Sequence, residues 1–417
     1  MKARKHAQRF LDELRVVNDA ALGRLPAGVE VHEAAFREVA NRFLAYSLIP
    51  EQGQDPQIRK LATQTVDRGV KSVDNMISEV FSELQDNIEK TAAARIEGLD
   101  LGSRRPFIGH LRTGQLNAVS MSVPGRSGAY LVLIEDQMPL FSWKLSTAVA
   151  WAIPRGPADA NGMSDYEFSL RAVTERVEAD PQVAARFAEV VVSYAVMGTV
   201  VARRTQDADA VDQVGDHLVP PGYFNLAQLL CTSLEYFVLG HEYAHILLGH
   251  LETGATRRGV LPAAEAEALV CSWQEELAAD WLGSVLSINA NIEHEHVDMD
   301  FGFLGISLFF DALDVMDRAV ALLQTGDENA RQLGSHPPSE LRKQRLRDFL
   351  PALGGSEPAN AGRVEAALLL AEVQAEIIRM LWERTRPILL DLRRSGVPAA
   401  HTWRTIPKET DDGARPN

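Results

Sequence analysis

Cysteine is nearly absent: the chain has two, Cys231 and Cys271, in 417 residues. Two cannot build the disulfide framework of a small secreted domain. Both stand in apolar, helix-like stretches and read as buried free thiols, which suits a reducing cytoplasm. No apolar run is long enough to cross a bilayer. The most apolar one, Val190 to Ala202, falls short of the roughly 20 residues that a spanning helix needs. The stretch from Tyr223 to Leu251 is longer, but Glu235, His241, Glu242 and His245 interrupt it. The N-terminus, MKARKHAQRFLDELRVV, has basic residues but not the apolar core of a secretory signal. Positive charge is in deficit too, with 42 Lys+Arg against 57 Asp+Glu and a formal net charge of -15. Such a surface repels nucleic-acid phosphates and anionic membranes. The expectation is a soluble, cytoplasmic protein with no membrane span and no nucleic-acid partner.

What is present is enough apolar material for a real core, 46% of the residues, arranged mainly with helical period. Residues 1–104 read as a helical region. Its clearest stripe runs through Val66, Val70, Val73, Ile77, Val80, Leu84 and Ile88, at spacings of three and four. That stripe packs within its own bundle or, through residues 58–95, against a partner helix or a second copy. After Arg105-Pro106 the texture changes. Gln115 to Val123 and Ala129 to Glu135 are alternating or β-branched, with Pro124-Gly125-Arg126-Ser127-Gly128 between them. They read as a hairpin, and no other stretch gives a convincing strand signal.

Helical pattern then resumes. Asp180-Pro181 opens a helix expected to reach about Gln206. Three apolar helices follow, at roughly 223–253, 263–290 and 301–324, and a short basic one from Ser339 to Phe349. Pro351 to Gly362 reads as a linker, 363–394 as an amphipathic helix, and the polar tail after Thr405 as disordered. The fold class is α+β, mostly helical, with a small sheet. Its parts are the N-terminal region, a domain at 105–350 that carries the chemistry, and a C-terminal helix and tail at 351–417.

The chemistry sits at GHEYAHILLGH, residues 240–250. His241 and His245 lie four apart and so project from one face of a helix, where two imidazoles can hold one zinc ion. Glu242 lies beside them. Zinc lowers the pKa of a bound water to about 7, and a neighbouring carboxylate can take its proton. Two histidines and a glutamate among Phe237, Val238, Leu239, Ile246 and Leu247 have no reason to enter an apolar helix without a partner.

A catalytic zinc needs a third protein ligand. His250 lies about 140° around a continuous helix from His245. His294 and His296 belong to a charged EHEH run that reads as solvated. The best candidate is Glu276, on the next helix. Asp280, one turn further on, can accept the free N–H of a ligand histidine. Glu275 points about 100° away from Glu276. One zinc per chain is expected.

These residues together resemble the gluzincin family of CAAX prenyl endopeptidases and HtpX-like heat-shock proteases. The resemblance rests on HEYAHILLGH, on Glu276-Leu277-Ala278-Ala279-Asp280 as the family's E-x-x-A-D, and on Ser335-His336-Pro337-Pro338 with Arg342. A weaker match is Asn117-Ala118 and Tyr130 to Ile134, where the family has the sheet edge along which substrate lies. The resemblance covers roughly residues 115–350. It implies a zincin-like metallopeptidase core, with His241, His245 and Glu276 as zinc ligands, Glu242 as general base and Asp280 behind a ligand. It also implies that His336 stabilises the oxyanion or donates a proton, and that Arg342 braces the site. Residues 140–222 would then be an inserted helical segment, such as a lid or substrate-gating element.

The function that follows is a zinc-dependent endopeptidase acting on a protein or peptide. Two other readings compete. One is a dedicated regulatory or suicide peptidase of another HExxH family, ImmA/IrrE-like or Lit-like, against which the HPP loop and Arg342 argue. The other is an inactive metal-binding scaffold, which would have no use for Glu242.

Overall fold

The structure, a computed structural model, describes residues 2–22, 73–96, 105–111, 116–125, 128–156, 165–200, 222–253, 273–330, 336–354 and 358–400. The architecture is mostly helical with one small sheet. Its elements are α1 (Lys2–Leu22), α2 (Val73–Arg95), β1 (Phe107–Leu111), β2 (Ala118–Ser122), β3 (Tyr130–Glu135), α3 (Met138–Ala152), α4 (Leu170–Ala179) and α5 (Pro181–Met197). There follow α6 (Phe224–Leu247), the short α7 (His250–Thr253), α8 (Trp273–Ala290), α9 (Met299–Thr325), α10 (Ser339–Gly354) and α11 (Pro358–Arg394). No helix among the described residues is long and apolar enough to cross a membrane.

The sheet has the order β1-β3-β2. The expected hairpin is there: β2 pairs antiparallel with β3, from Ala118 opposite Ile134 to Ser122 opposite Tyr130. The sequence reading missed β1, which pairs parallel with β3 from Phe107 to Leu111. Five residues that include Gly109 and His110 give little strand signal by themselves. Buried along its whole length, β3 reads as a continuous apolar run, as a strand covered on both faces should. Leu131 and Leu133 pack under Ala7, Leu11 and Leu14 of α1. Tyr130, Val132 and Ile134 point the other way, into the main core.

That core is contiguous from α2 to α11 and joins Phe81, Val132, Phe141, Phe187, Phe237 and Trp382. Several expectations change with it. On α2 the buried stripe is Phe81, Leu84, Ile88 and Ala92, while Val80 is exposed. It packs inside the molecule, against α6, α8 and β1. Val66 and Val70 lie outside the described residues. The segment expected as an insertion, 140–222, contributes core helices: α3 lies along α6, α5 along α3 and α11, and α4 buries Val173 and Val177, though 201–221 fall outside the described residues. The Asp180 side chain caps α5 by accepting from the Gln182 N–H, but the helix ends at Met197 rather than Gln206, because Gly198 turns left-handed (φ 64). The linker expected from Pro351 is largely helical: α10 continues to Gly354 and α11 begins at Pro358. Buried Leu346 and Leu350 hold the end of α10. The C-terminal helix is no appendage, since it lies along α9 and buries Ile377, Leu381 and Trp382. The tail after residue 400 is outside the described residues.

Candidate metal centre

A helix that is apolar on every side belongs in a core, and α6 is buried along most of its length. It packs against α8, α9 and α3, with β2 and α2 also against it. This helix carries His241, Glu242 and His245, and α8 carries Glu276 and Asp280. The two helices touch backbone to backbone. A Cβ on Gly283 would stand 2.8 Å from His241 Cα and N, and one on Gly240 would stand 2.9 Å from the Gly283 carbonyl oxygen. Two glycines thus let the helices cross at the residue before the first histidine. A larger side chain at either position would hold the donors apart.

At that crossing His241, His245 and Glu276 converge, all buried. The two imidazole Nε2 atoms are 3.1 Å apart. His241 Nε2 is 3.5 Å from Glu276 Oε2, and His245 Nε2 is 3.6 Å from Glu276 Oε1. Donors about 2.0–2.2 Å from one tetrahedral ion are separated by about 3.3–3.6 Å. The donor set therefore has the spacing that a small divalent cation requires. Glu276 Oε2 is a buried acceptor without a well-formed hydrogen bond; besides His241 it has Arg342 Nη2 at 3.6 Å. The local field is negative. Burial alone would lower the pKa of His241, but the Asp280 hydrogen bond and the Glu276 carboxylate outweigh it and raise the value to about 10. At His245 burial and the neighbouring His241 act the other way and lower the pKa. Glu276 is held well below the usual carboxylate range: burial opposes ionisation, but His241, His336 and Arg342 more than compensate.

Behind the donors stands a second layer. His241 Nδ1 is 3.0 Å from Asp280 Oδ1. Arg342 on α10 grips Asp280 in a fork, Nε to Oδ2 at 2.7 Å and Nη2 to Oδ1 at 2.6 Å, and its guanidinium lies 5.0 Å from the Phe310 ring centroid. The neighbouring Lys343 ties α10 to Asp311 of α9 at 2.6 Å. His336 lies at the rim, about one-third exposed, with Nε2 3.5 Å from Glu276 Oε1. Gly334 and Ser335, which precede it, are outside the described residues.

Glu242 is buried and separate from the donor set. Burial raises its pKa, against the influence of His241 and of hydrogen bonds from the Ser120 hydroxyl and backbone. Ser120 lies on β2, an end strand of the sheet order among the described residues. The carboxylate beside the donors thus faces a sheet edge.

His250 is placed differently from the sequence expectation. It would be remote from His245 on an unbroken helix, but α6 stops at Leu247 and Gly249 turns left-handed (φ 73). The chain folds back, and His250 Nδ1 comes within 2.9 Å of His245 Nδ1. The signal was the glycine immediately before it. His294 and His296 do not join the centre. His294 lies near Thr91 of α2, 3.4 Å from its hydroxyl, and His296 is exposed on a left-handed turn (φ 56). Cys231 is a buried free thiol, as expected, and donates to Glu235; Cys271 lies outside the described residues. No family model matches the chain, and no curated protein or solved structure matches it, so the geometry of the centre has to carry its functional reading.

Proposed function

We propose that the protein is a zinc-dependent endopeptidase with a zincin-like core, akin to the gluzincins that its motifs resemble. The observation that carries this reading is Glu242: a buried carboxylate beside a His-His-Glu donor set, outside that set, and turned to the edge of β2. A site that only stored or sensed a metal would have no use for it. The donor set of two imidazoles and one carboxylate suits zinc and leaves a position open for substrate. An ion bound there would supply Lewis acidity for a peptide carbonyl and acidify a water.

The chain's own residues supply the rest. Glu242 takes the proton of the attacking water and passes it to the leaving amine; burial strengthens it as a base by raising its pKa. Asp280 fixes the tautomer and orientation of His241 by accepting its Nδ1–H, and Arg342 fixes Asp280. In this reading His336, at the rim, donates an N–H to the carbonyl oxygen as negative charge grows on it. An extended peptide can pair along β2, which brings a backbone carbonyl past Glu242.

The Glu242→Gln protein tests this. It should keep its metal and its fold and lose peptide hydrolysis by several orders of magnitude, because an amide cannot accept the proton. Undiminished turnover would remove Glu242 as the base, and hydrolysis absent from the zinc-loaded wild type across a broad peptide library would favour the inactive scaffold.

A further inference from the structure

We propose that His250 is a positioning residue of the metal centre: it accepts the Nδ1–H of His245 and so fixes the tautomer and ring plane in which His245 presents Nε2 to the ion. This inference rests on the metal-binding part of the reading above and not on the peptidase activity.

His245 points Nε2 towards His241 and Glu276. To ligate through that nitrogen it must be unprotonated there, so the ring's proton sits on Nδ1. Only one of the two rings can then donate across the 2.9 Å Nδ1–Nδ1 contact. His245 donates, His250 accepts through its Nδ1 lone pair, and the proton of a neutral His250 lies on Nε2. Both side chains are buried, so water is a poor substitute for the lost acceptor.

The placement of His250 is built rather than incidental. Gly249 reverses the chain through a left-handed turn that an L side chain adopts only with strain. The short α7 that follows is pinned at two points: the Glu252 N–H donates to the Gly249 carbonyl at 3.0 Å, and the Tyr130 hydroxyl donates to Glu252 Oε1 at 2.6 Å. Tyr130 opens β3 and pairs with Ser122 of β2. The position of His250 is thus set by the same hairpin that presents Ser120 to Glu242.

The two ligand histidines are also held by unlike partners. His241 has a carboxylate whose charge Arg342 balances. His245 has a neutral imidazole. A second carboxylate there would add uncompensated negative charge beside the ion and weaken its Lewis acidity. A neutral acceptor orients the ligand without that cost.

Outer partners of ligand histidines typically change metal affinity by about 10–100-fold. The test uses the full chain with Leu and Asn at position 250. Leucine fills space without accepting a hydrogen bond, whereas the Asn carbonyl oxygen can take the place of Nδ1. Zinc affinity is read by competition with a chromophoric chelator, and ligand geometry by the visible spectrum of the cobalt-substituted protein. His250→Leu should weaken zinc about 10–100-fold and shift the cobalt bands. His250→Asn should restore both to within a few-fold of wild type. His250→Ala replaces the Leu variant should thermal melts show that the latter does not fold. Wild-type affinity and spectrum in the Leu variant, or an Asn variant no better than Leu, would overturn the proposal. Wild-type protein that binds neither zinc nor cobalt would overturn it together with the metal reading. Wild-type protein that binds zinc but hydrolyses no peptide would count against the peptidase reading alone.

Discussion

Gly283→Ala places one methyl group where the structure has no room for it. The added Cβ would stand 2.8 Å from His241 Cα and N and 3.1 Å from Gly240 C. All three are backbone atoms of α6, so no side-chain rotation relieves the contact. Restoring ordinary van der Waals separation requires α6 and α8 to part by about 0.6 Å at this point. Overpacking of that kind costs about 1–3 kcal/mol, and the better helix propensity of alanine returns up to about 1 kcal/mol. The net loss of stability should therefore lie between about 0 and 3 kcal/mol. The effect on metal should be larger, because ligand distances tolerate only about ±0.2 Å, and the displaced atom belongs to a ligand residue. A shift of His241 away from Glu276 and Asp280 disturbs two of the three donors at once. We expect zinc affinity to fall by at least about 10–100-fold, comparable to the loss of an outer partner.

Gly302→Ala is the control. It changes a glycine at the start of α9, where the nearest neighbour of an added Cβ is Ile288 at 3.7 Å, an ordinary contact. It should leave zinc unchanged and hold or raise the thermal midpoint. Chelator competition and thermal melts on both variants decide the matter. A Gly283→Ala protein with wild-type zinc affinity would show that the helix crossing does not set the donor spacing.

Three further outcomes follow from the same geometry. Arg342→Ala should destabilise the fold by about 3–5 kcal/mol, because it strands the buried Asp280 without its cation, and should loosen zinc as well; urea denaturation with metal analysis checks this, and a variant with normal stability and full zinc would contradict it. Burial raises the pKa of Glu235 on α6 to about 8, against an unfolded value near 4.5. Its contribution is therefore fully present below the unfolded pKa and is lost as pH rises through about 8, by roughly 3–5 kcal/mol in total. Glu235→Gln should remove most of the stability difference between pH 5 and pH 8.5, and parallel pH–stability curves for the two proteins would refute it. His336→Ala should lower kcat by about 10²–10³ with KM and zinc little changed, if its N–H acts in the transition state; zinc loss instead would make His336 a support for Glu276.

The donor set was open to sequence reasoning because its spacing is local. His241 and His245 share a helix face by period alone, and Glu276 and Asp280 do the same on α8. The hairpin was equally readable from alternation on either side of a Pro/Gly turn. What escaped depends on where the chain goes next. The pairing of β1 with β3 is set by tertiary neighbours, and five residues with a glycine and a histidine carry no period. The extent of α10 and α11 was misjudged because Pro351 and the nearby glycines were read as breakers, whereas buried leucines keep the first helix together. His250 was set aside on the assumption of an unbroken helix, and Gly249 is where that assumption fails. Arg342 was expected to brace the site; the fork chooses Asp280, and Glu276 lies 3.6 Å from the guanidinium.

The features that look unfavourable one by one are consistent when taken together. Glycine in a helix interior costs about 1 kcal/mol relative to alanine, and α6 and α8 each carry one at their crossing. Buried carboxylates and imidazoles cost more than that unless they are paired. Remove the glycines and the helices separate, so that His241 loses Asp280 and Glu276 and is left as an unpaired buried imidazole. Remove the charges and the close crossing has no purpose, since two alanines would pack an apolar helix pair better. Each makes sense only if the other is present, and the ion that the three donors can hold is what makes the combination worth its cost in stability.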